Sequence, residues 1–149
     1  MLANGFLLDS FDQAPVAMLV TDEAANLIGR LRESHGTLLF HQSGGCCDGS
    51  APMCYTEGEF RIGAADVLLG FIAGCPFFIG GAQFDYWRHT QLIIDVVKGR
   101  GSGFSLEAPE GVRFLTRSRV FTDEEVNRLT EPLRGDAALT AVRQSGGKA

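Results

Sequence analysis

The sequence predicts one α+β domain with a mainly antiparallel β-sheet, an N-terminal helix and a C-terminal helix. The chain has 149 residues, of which 45% are hydrophobic and 21% are charged, and this balance is typical of a single globular domain. Between helical patterns near the two ends, short apolar stretches follow one another at hairpin spacing. We therefore assign residues 1–149 to a single compact domain, with a frayed tail over about 135–149.

Local patterns indicate the elements of the first half of the chain. Thr21 or Asp22 can cap a helix, because both side chains accept hydrogen bonds from backbone N–H groups. Apolar residues then recur at helical spacing, and Gly36 is a typical helix end. Three strands are expected after this helix, over residues 37–42, 64–72 and 77–79.

The second half of the chain predicts longer strands. Alternation over residues 83–97 indicates one extended strand that carries Trp87 and His89 on the same face. A short strand is expected over residues 104–106, and a second long one over residues 112–120. The sequence from Thr122 to Glu125 is a capping box for a helix of about ten residues.

Charge and composition exclude several classes of partner. The net charge of −5 argues against a nucleic-acid partner. Residues 67–84 carry no charge, but their glycines and proline favour two buried strands joined by a turn over a membrane span. The amino terminus lacks the basic region of a secretory signal. We therefore expect a soluble, cytoplasmic protein with no membrane partner.

The segment from His41 to Cys54 concentrates reactive side chains. Three of the four cysteines lie in it, among glycines that would let the backbone wrap an ion. In a reducing compartment such cysteines serve as ligands, nucleophiles or redox pairs, and Zn or Fe suits mixed Cys and His ligation. The candidate metal ligands are Cys46, Cys54, Cys47, Cys75, His41 and His89, and the candidate catalytic residues are Cys46, Cys47, Asp48 and His89.

These candidates also have structural interpretations. Cysteine often packs as a small hydrophobic residue, and Cys75 lies in the most apolar stretch, where packing is the favoured role. For His41, at the end of a predicted strand, both interpretations stay open. We expect at least two of the four cysteines to act together, on one metal ion or as a redox-active pair. Cys46 with Cys54 is the favoured pair, because the intervening chain can fold back.

Four segments of the chain carry a resemblance: HQSGGCCDGSAPMC at 41–54, GCPF at 74–77, YWRHTQL at 86–92 and VKGRGSGFSLE at 97–107. They resemble an uncharacterised bacterial family, a domain of unknown function that is often encoded beside acetaldehyde dehydrogenases. The resemblance covers about residues 15–125. Through this gene neighbourhood it implies a link with alcohol or aldehyde oxidation and an aldehyde dehydrogenase as partner, but it implies no particular reaction.

Two hypotheses from different classes follow. The first is a cysteine-rich, metal- or thiol-dependent accessory protein linked to alcohol or aldehyde metabolism. The second is a small-molecule enzyme in which a cysteine thiolate, or a metal held by Cys and His, acts on an aldehyde-type substrate. The residues do not form a complete catalytic set, so the sequence favours the accessory role and leaves enzyme activity open.

Overall fold

The computed structural model describes residues 17–42, 50–99, 105–129 and 131–146. Within these ranges the strands are β1 (Met18–Val20), β2 (Leu38–Gln42), β3 (Met53–Thr56), β4 (Val67–Ile72), β5 (Cys75–Ile79), β6 (Thr90–Lys98), β7 (Val112–Val120) and β8 (Leu133–Arg134). The α-helices are α1 (Asp22–His35), α2 (Gly81–Trp87), α3 (Asp123–Asn127) and α4 (Gly135–Gly146), and a 3-10 helix covers Ala108–Glu110. No helix in these ranges is long and apolar enough to cross a membrane.

The strands form two sheets. A three-stranded sheet has the order β1-β6-β7, and a five-stranded sheet has the order β3-β2-β5-β4-β8. Strand β1 is parallel to β6 and β2 is parallel to β5, whereas the other strand pairs are antiparallel. Antiparallel pairing therefore predominates, and the predicted α+β domain with helices toward both ends is confirmed.

Helix α1 forms where the sequence predicts it. The Thr21 side chain accepts a hydrogen bond from the backbone N–H of Ala24 at 3.2 Å, and the N–H of Gly36 closes the last turn on the carbonyl of Arg32. These contacts satisfy backbone groups that a helix end would otherwise leave unpaired. The apolar positions at helical spacing are all buried: Ala24, Leu27, Ile28 and Leu31.

The main hydrophobic core lies between the two sheets and α1. We call the side of the five-stranded sheet that faces this core the inner face; it carries Phe40, Cys54, Cys75 and Phe77. The ring of Phe40 stacks with that of Phe77 at 6.1 Å and meets the ring of Phe114 edge-on at 5.1 Å. The first contact links two neighbouring strands of one sheet, the second joins the two sheets, and both bury large apolar area.

The opposite side of the five-stranded sheet, which we call the outer face, carries Leu39, His41 and Phe78. Helix α4 packs on part of it: Ala138 is completely buried there, and Val142 is partly buried. We expected a frayed tail from about residue 135, but residues 135–146 form this helix. The apolar residues of α4 recur at helical spacing, and this stripe gives the helix a face to bury.

The uncharged stretch forms the hairpin β4–β5, as predicted. Strand β5 begins at Cys75, so Cys75 lies within a strand and not at the turn. The turn residues Ala73 and Gly74 have φ values of 48° and 82°, which two-residue turns need to match the strand twist. A Cβ atom at Gly74 would lie 2.9 Å from Nη1 of Arg32, so glycine also lets this guanidinium approach the turn.

The prediction of one strand over residues 83–97 is wrong in its first part. That part is helix α2, and the strand, β6, begins at Thr90. Phe84 and Trp87 are three positions apart, so one helical turn buries both in the core. The hydroxyl of Thr90 donates to the carbonyl of Trp87 at 2.7 Å at the end of the helix.

Predictions near the end of the chain are confirmed in part. Strand β7 spans residues 112–120, as expected. The capping box is present in both directions between Thr122 and Glu125, but α3 has five residues where about ten were expected. Of the strand expected over residues 104–106, residue 104 lies outside the described residues, and Ser105 and Leu106 lead instead through a turn into the 3-10 helix.

Candidate functional site

His41 lies on the outer face at the end of β2 and contacts an acidic side chain. Its Nε2 atom lies 2.9 Å from Oδ1 of Asp66, and the two side chains are 5% and 15% exposed. A carboxylate so close to a buried imidazole fixes the orientation of the ring and favours one tautomer. The pair is therefore a rigid, nearly dry polar site.

The residues before β4 hold Asp66 in place. Its Oδ2 atom accepts a hydrogen bond from the backbone N–H of Gly63 at 2.7 Å, and its own N–H donates to the Gly63 carbonyl at 3.1 Å. An aromatic ring packs on the histidine: the ring centroids of Phe60 and His41 are 4.4 Å apart, and Phe60 in turn stacks with Tyr55 at 4.9 Å. The imidazole is thus fixed by a carboxylate and by ring packing.

Cys54 lies on the inner face, on the other side of the sheet from His41. It is paired with Phe40, the neighbour of His41, and adjacent residues of a strand point to opposite faces. Cys54 is completely buried. Burial raises the pKa of its thiol, and the nearby Glu107 and Cys75 raise it further. A thiol with a raised pKa is a poor source of the thiolate that nucleophilic attack or metal binding requires.

Cys75 shares the inner face with Cys54. It is 2% exposed, and both cysteines are free thiols. Burial raises the pKa of the Cys75 thiol, although the Arg32 guanidinium and the backbone of Leu38 act in the opposite direction. Its position in the core agrees with the packing role that its apolar surroundings in the sequence favour.

The sequence patterns did not indicate the buried polar pair of Ser105 and Glu107 beside Cys54. The Ser105 hydroxyl accepts from the backbone N–H of Cys54 at 2.8 Å and donates to Oε1 of Glu107. Glu107 is 1% exposed, and burial raises the pKa of its carboxyl despite the hydrogen bonds from Ser105 and from the backbone of Glu107 and Phe114. These bonds satisfy the carboxyl within the protein and give the cluster a structural role.

His89 does not join this site. It follows α2 and is exposed, and its backbone carbonyl accepts from the N–H of Phe121 at 3.0 Å. The sequence pattern predicts His89 on a strand, on the same face as Trp87. That prediction is wrong, because Trp87 ends helix α2 and His89 lies between this helix and β6.

Three candidates lie outside the described residues: Cys46, Cys47 and Asp48. The favoured pair of Cys46 with Cys54 is therefore described for Cys54 alone. The described chain stops at Gln42 and resumes at Ser50. Both residues contact Thr116: its Oγ1 donates to Oε1 of Gln42 at 3.0 Å, and its N–H donates to the Ser50 carbonyl at 2.8 Å. Among the described residues, no group of three His, Cys, Asp or Glu side chains could hold a metal ion.

The described residues thus define a two-sheet α+β protein whose candidate site is a buried histidine–aspartate pair. The chain belongs to a family described as a domain of unknown function, DUF779, whose model matches residues 27–120. The matched range begins inside α1 and ends with β7, so it includes both His41 and Asp66. Neither a curated protein nor a solved structure matches the chain.

Proposed function

We propose that this chain is a cytoplasmic accessory protein with a thiol- or metal-dependent site, and that His41 contributes to this site. The observation that carries the proposal is the contact of 2.9 Å between Nε2 of the buried His41 and Oδ1 of Asp66. A carboxylate on one ring nitrogen commonly accompanies histidines that bind metals or exchange protons in proteins. His41 lies one residue before the end of β2, and Cys46 follows it five positions later in the sequence.

Within this proposal the sulfur chemistry belongs to Cys46 and Cys47. Burial and the raised thiol pKa values of Cys54 and Cys75 leave these two as packing residues. In the sequence, glycines and Asp48 flank Cys46 and Cys47. The segment has no periodic pattern of apolar residues, which a buried packing cysteine would be expected to belong to. Zn or Fe is the ion we expect, because both accept Cys and His ligands.

The physiological partner in this proposal is an aldehyde dehydrogenase. This part rests on the resemblance to a family encoded beside acetaldehyde dehydrogenases, which links the protein to alcohol or aldehyde metabolism. The accessory role rests on the sequence, whose candidate residues do not form a complete catalytic set.

Four single cysteine variants of the anaerobically purified protein test the proposal. We expect Cys46→Ser or Cys47→Ser to remove at least about half of the bound metal or of the reactive thiol. Cys54→Ala and Cys75→Ala, matched controls from the core, should leave both quantities as in the native protein. The measurements are elemental analysis and thiol titration in the folded state.

Histidine variants complete the test. His41→Gln should lower metal content or thiol reactivity, whereas His89→Gln, at an exposed histidine, should change neither. The proposal fails if the native protein holds no metal and has no reactive thiol. It also fails if Cys46→Ser and Cys47→Ser both keep native metal content and thiol reactivity.

A further inference from the structure

A cavity of about 460 Å³ lies between the outer face of the five-stranded sheet and α4. Leu39 and Phe78 of the sheet line it, together with Phe60 from the loop before β4 and Val142 from α4. Small-molecule sites in proteins have volumes of roughly 300–1,000 Å³ and mostly apolar walls with a few polar groups. The cavity therefore has the size and lining of a ligand site.

Charged side chains border this apolar space. The lining includes the guanidinium groups of Arg32 and Arg143 and the carboxylate of Glu57, which leaves an excess of one positive charge. Nη1 of Arg32 donates to the carbonyl of Ala73 at 3.0 Å, which fixes that side chain at the cavity. Within the described part of the chain, Arg143 makes no hydrogen bond or ion pair, so its guanidinium is available to an anion.

An exposed aromatic side chain belongs to the same cavity. Phe71 lies on the β4–β5 hairpin, lines the cavity and is 40% exposed. Exposure of a large apolar ring to water is unfavourable. An apolar ligand packed against the Phe71 ring would shield part of the ring from water. A small inorganic anion would leave this ring and the other apolar walls uncovered, and an uncharged apolar molecule would leave Arg143 without a partner.

We infer that the cavity binds an amphipathic monocarboxylate, with its hydrocarbon part against Phe60, Phe71 and Phe78 and its carboxylate at Arg32 and Arg143. Carboxylates are natural partners for guanidinium groups, whose planar donors match their two oxygens. This inference does not rest on the proposed thiol or metal site, because the described residues that line the cavity include neither cysteine nor histidine.

Octanoate and 1-octanol are the probes for this inference, because they share the apolar chain and differ in charge. We expect calorimetric titration to show octanoate binding at least about tenfold more tightly than 1-octanol, since charge-assisted hydrogen bonds add to chain burial. Arg143→Gln should weaken octanoate binding on the order of fivefold and leave 1-octanol binding unchanged. Arg30→Gln is the matched control: it removes one exposed arginine from α1, and Arg30 does not line the cavity.

Filling the cavity gives an independent test. Val142→Trp should abolish binding of both probes, with circular dichroism confirming that the helix content is kept. Arg143 is exposed, so its replacement leaves the fold intact and keeps the test decisive if Val142→Trp does not fold. The inference is overturned if octanoate does not bind, if both probes bind equally, or if Arg143→Gln binds octanoate as the native protein does.

Discussion

The two faces of the five-stranded sheet differ although their residues alternate along the same strands. On the inner face, Phe40 and Phe77 are completely buried among the apolar residues of the main core. On the outer face, the neighbouring His41 meets a carboxylate, and Leu39 and Phe78 line a cavity. One set of strands therefore supports a close-packed core on one side and polar chemistry with open volume on the other.

This difference shows how the chain separates stability from candidate function. The inner face leaves Cys54 with the properties of an inert core residue, because burial keeps its thiol protonated. The outer face places His41 where a carboxylate can orient it. A substitution should therefore have a different consequence on each face, and point variants test this comparison from the largest expected effect to the smallest.

Phe40→Ala should cause the largest loss of stability, about 3–5 kcal/mol in the free energy of unfolding, since it empties a close-packed site between the sheets. Phe60→Ala, at the half-buried ring beside His41, should cost about 1–2 kcal/mol, because the adjoining cavity already leaves part of that ring without contacts. Urea denaturation of both variants measures the difference. Equal losses would show that the two faces are packed alike.

Asp66→Asn should lower the free energy of unfolding by about 1–3 kcal/mol, because the charged partner of the buried His41 is replaced by an amide of the same shape. Asp85→Asn is the control, at a carboxylate that is 71% exposed and 3.7 Å from Arg88, and it should cost at most about 0.5 kcal/mol. A double-mutant cycle with His41→Gln isolates the pair. A coupling free energy of zero between the two substitutions would mean that Asp66 does not stabilise the position of His41.

Glu107→Gln should have the smallest effect, and it should depend on pH. The pKa of Glu107 is raised by burial, so the folded state holds this proton more tightly than the unfolded state does. The stability that protonation contributes is present below the ordinary carboxyl pKa of 4.5 and is lost as pH rises through the folded-state pKa. The melting temperature of Glu107→Gln relative to the native protein should therefore rise with pH.

Glu125→Gln gives the matched comparison with the opposite sign. Hydrogen bonds from Arg119 and from Thr122 lower the pKa of Glu125, so its contribution to stability is present above pH 4.5 and is lost as pH falls. Relative to the native protein, this variant should be less stable at neutral pH, and the difference should vanish in acid. If both glutamate variants follow the same pH trend, burial does not govern Glu107.

The elements that the sequence predicted correctly depend on short-range patterns. The cap at Thr21, the glycine at position 36 and the capping box at Thr122 each act within a few residues of the helix end. Strand β7 has a clear alternation and pairs with β6 along its whole length. Such features need no knowledge of the rest of the chain.

The elements that were missed depend on distant packing. Phe84 and Trp87 would lie on opposite faces of a strand but lie on one face of a helix, and their common burial in the core, which the sequence does not show, decides for the helix. The pair of His41 with Asp66 joins the end of β2 to the residue before β4, 25 positions away, and nothing near Asp66 in the sequence indicates that contact. Likewise, the separation of Cys54 from His41 depends on the register between β2 and β3, which their spacing does not reveal.

The parallel pairing of β1 with β6 has a consequence for folding during synthesis. Met18 lies beside Leu92, so β1 has no partner until the ribosome has made most of the chain. Strand β2 likewise waits for β5, which supplies its parallel neighbour. Distant pairings of this kind slow folding to the range of about milliseconds to seconds and leave apolar strands uncovered in the meantime. Aggregation is therefore expected chiefly before β5 and β6 are in place.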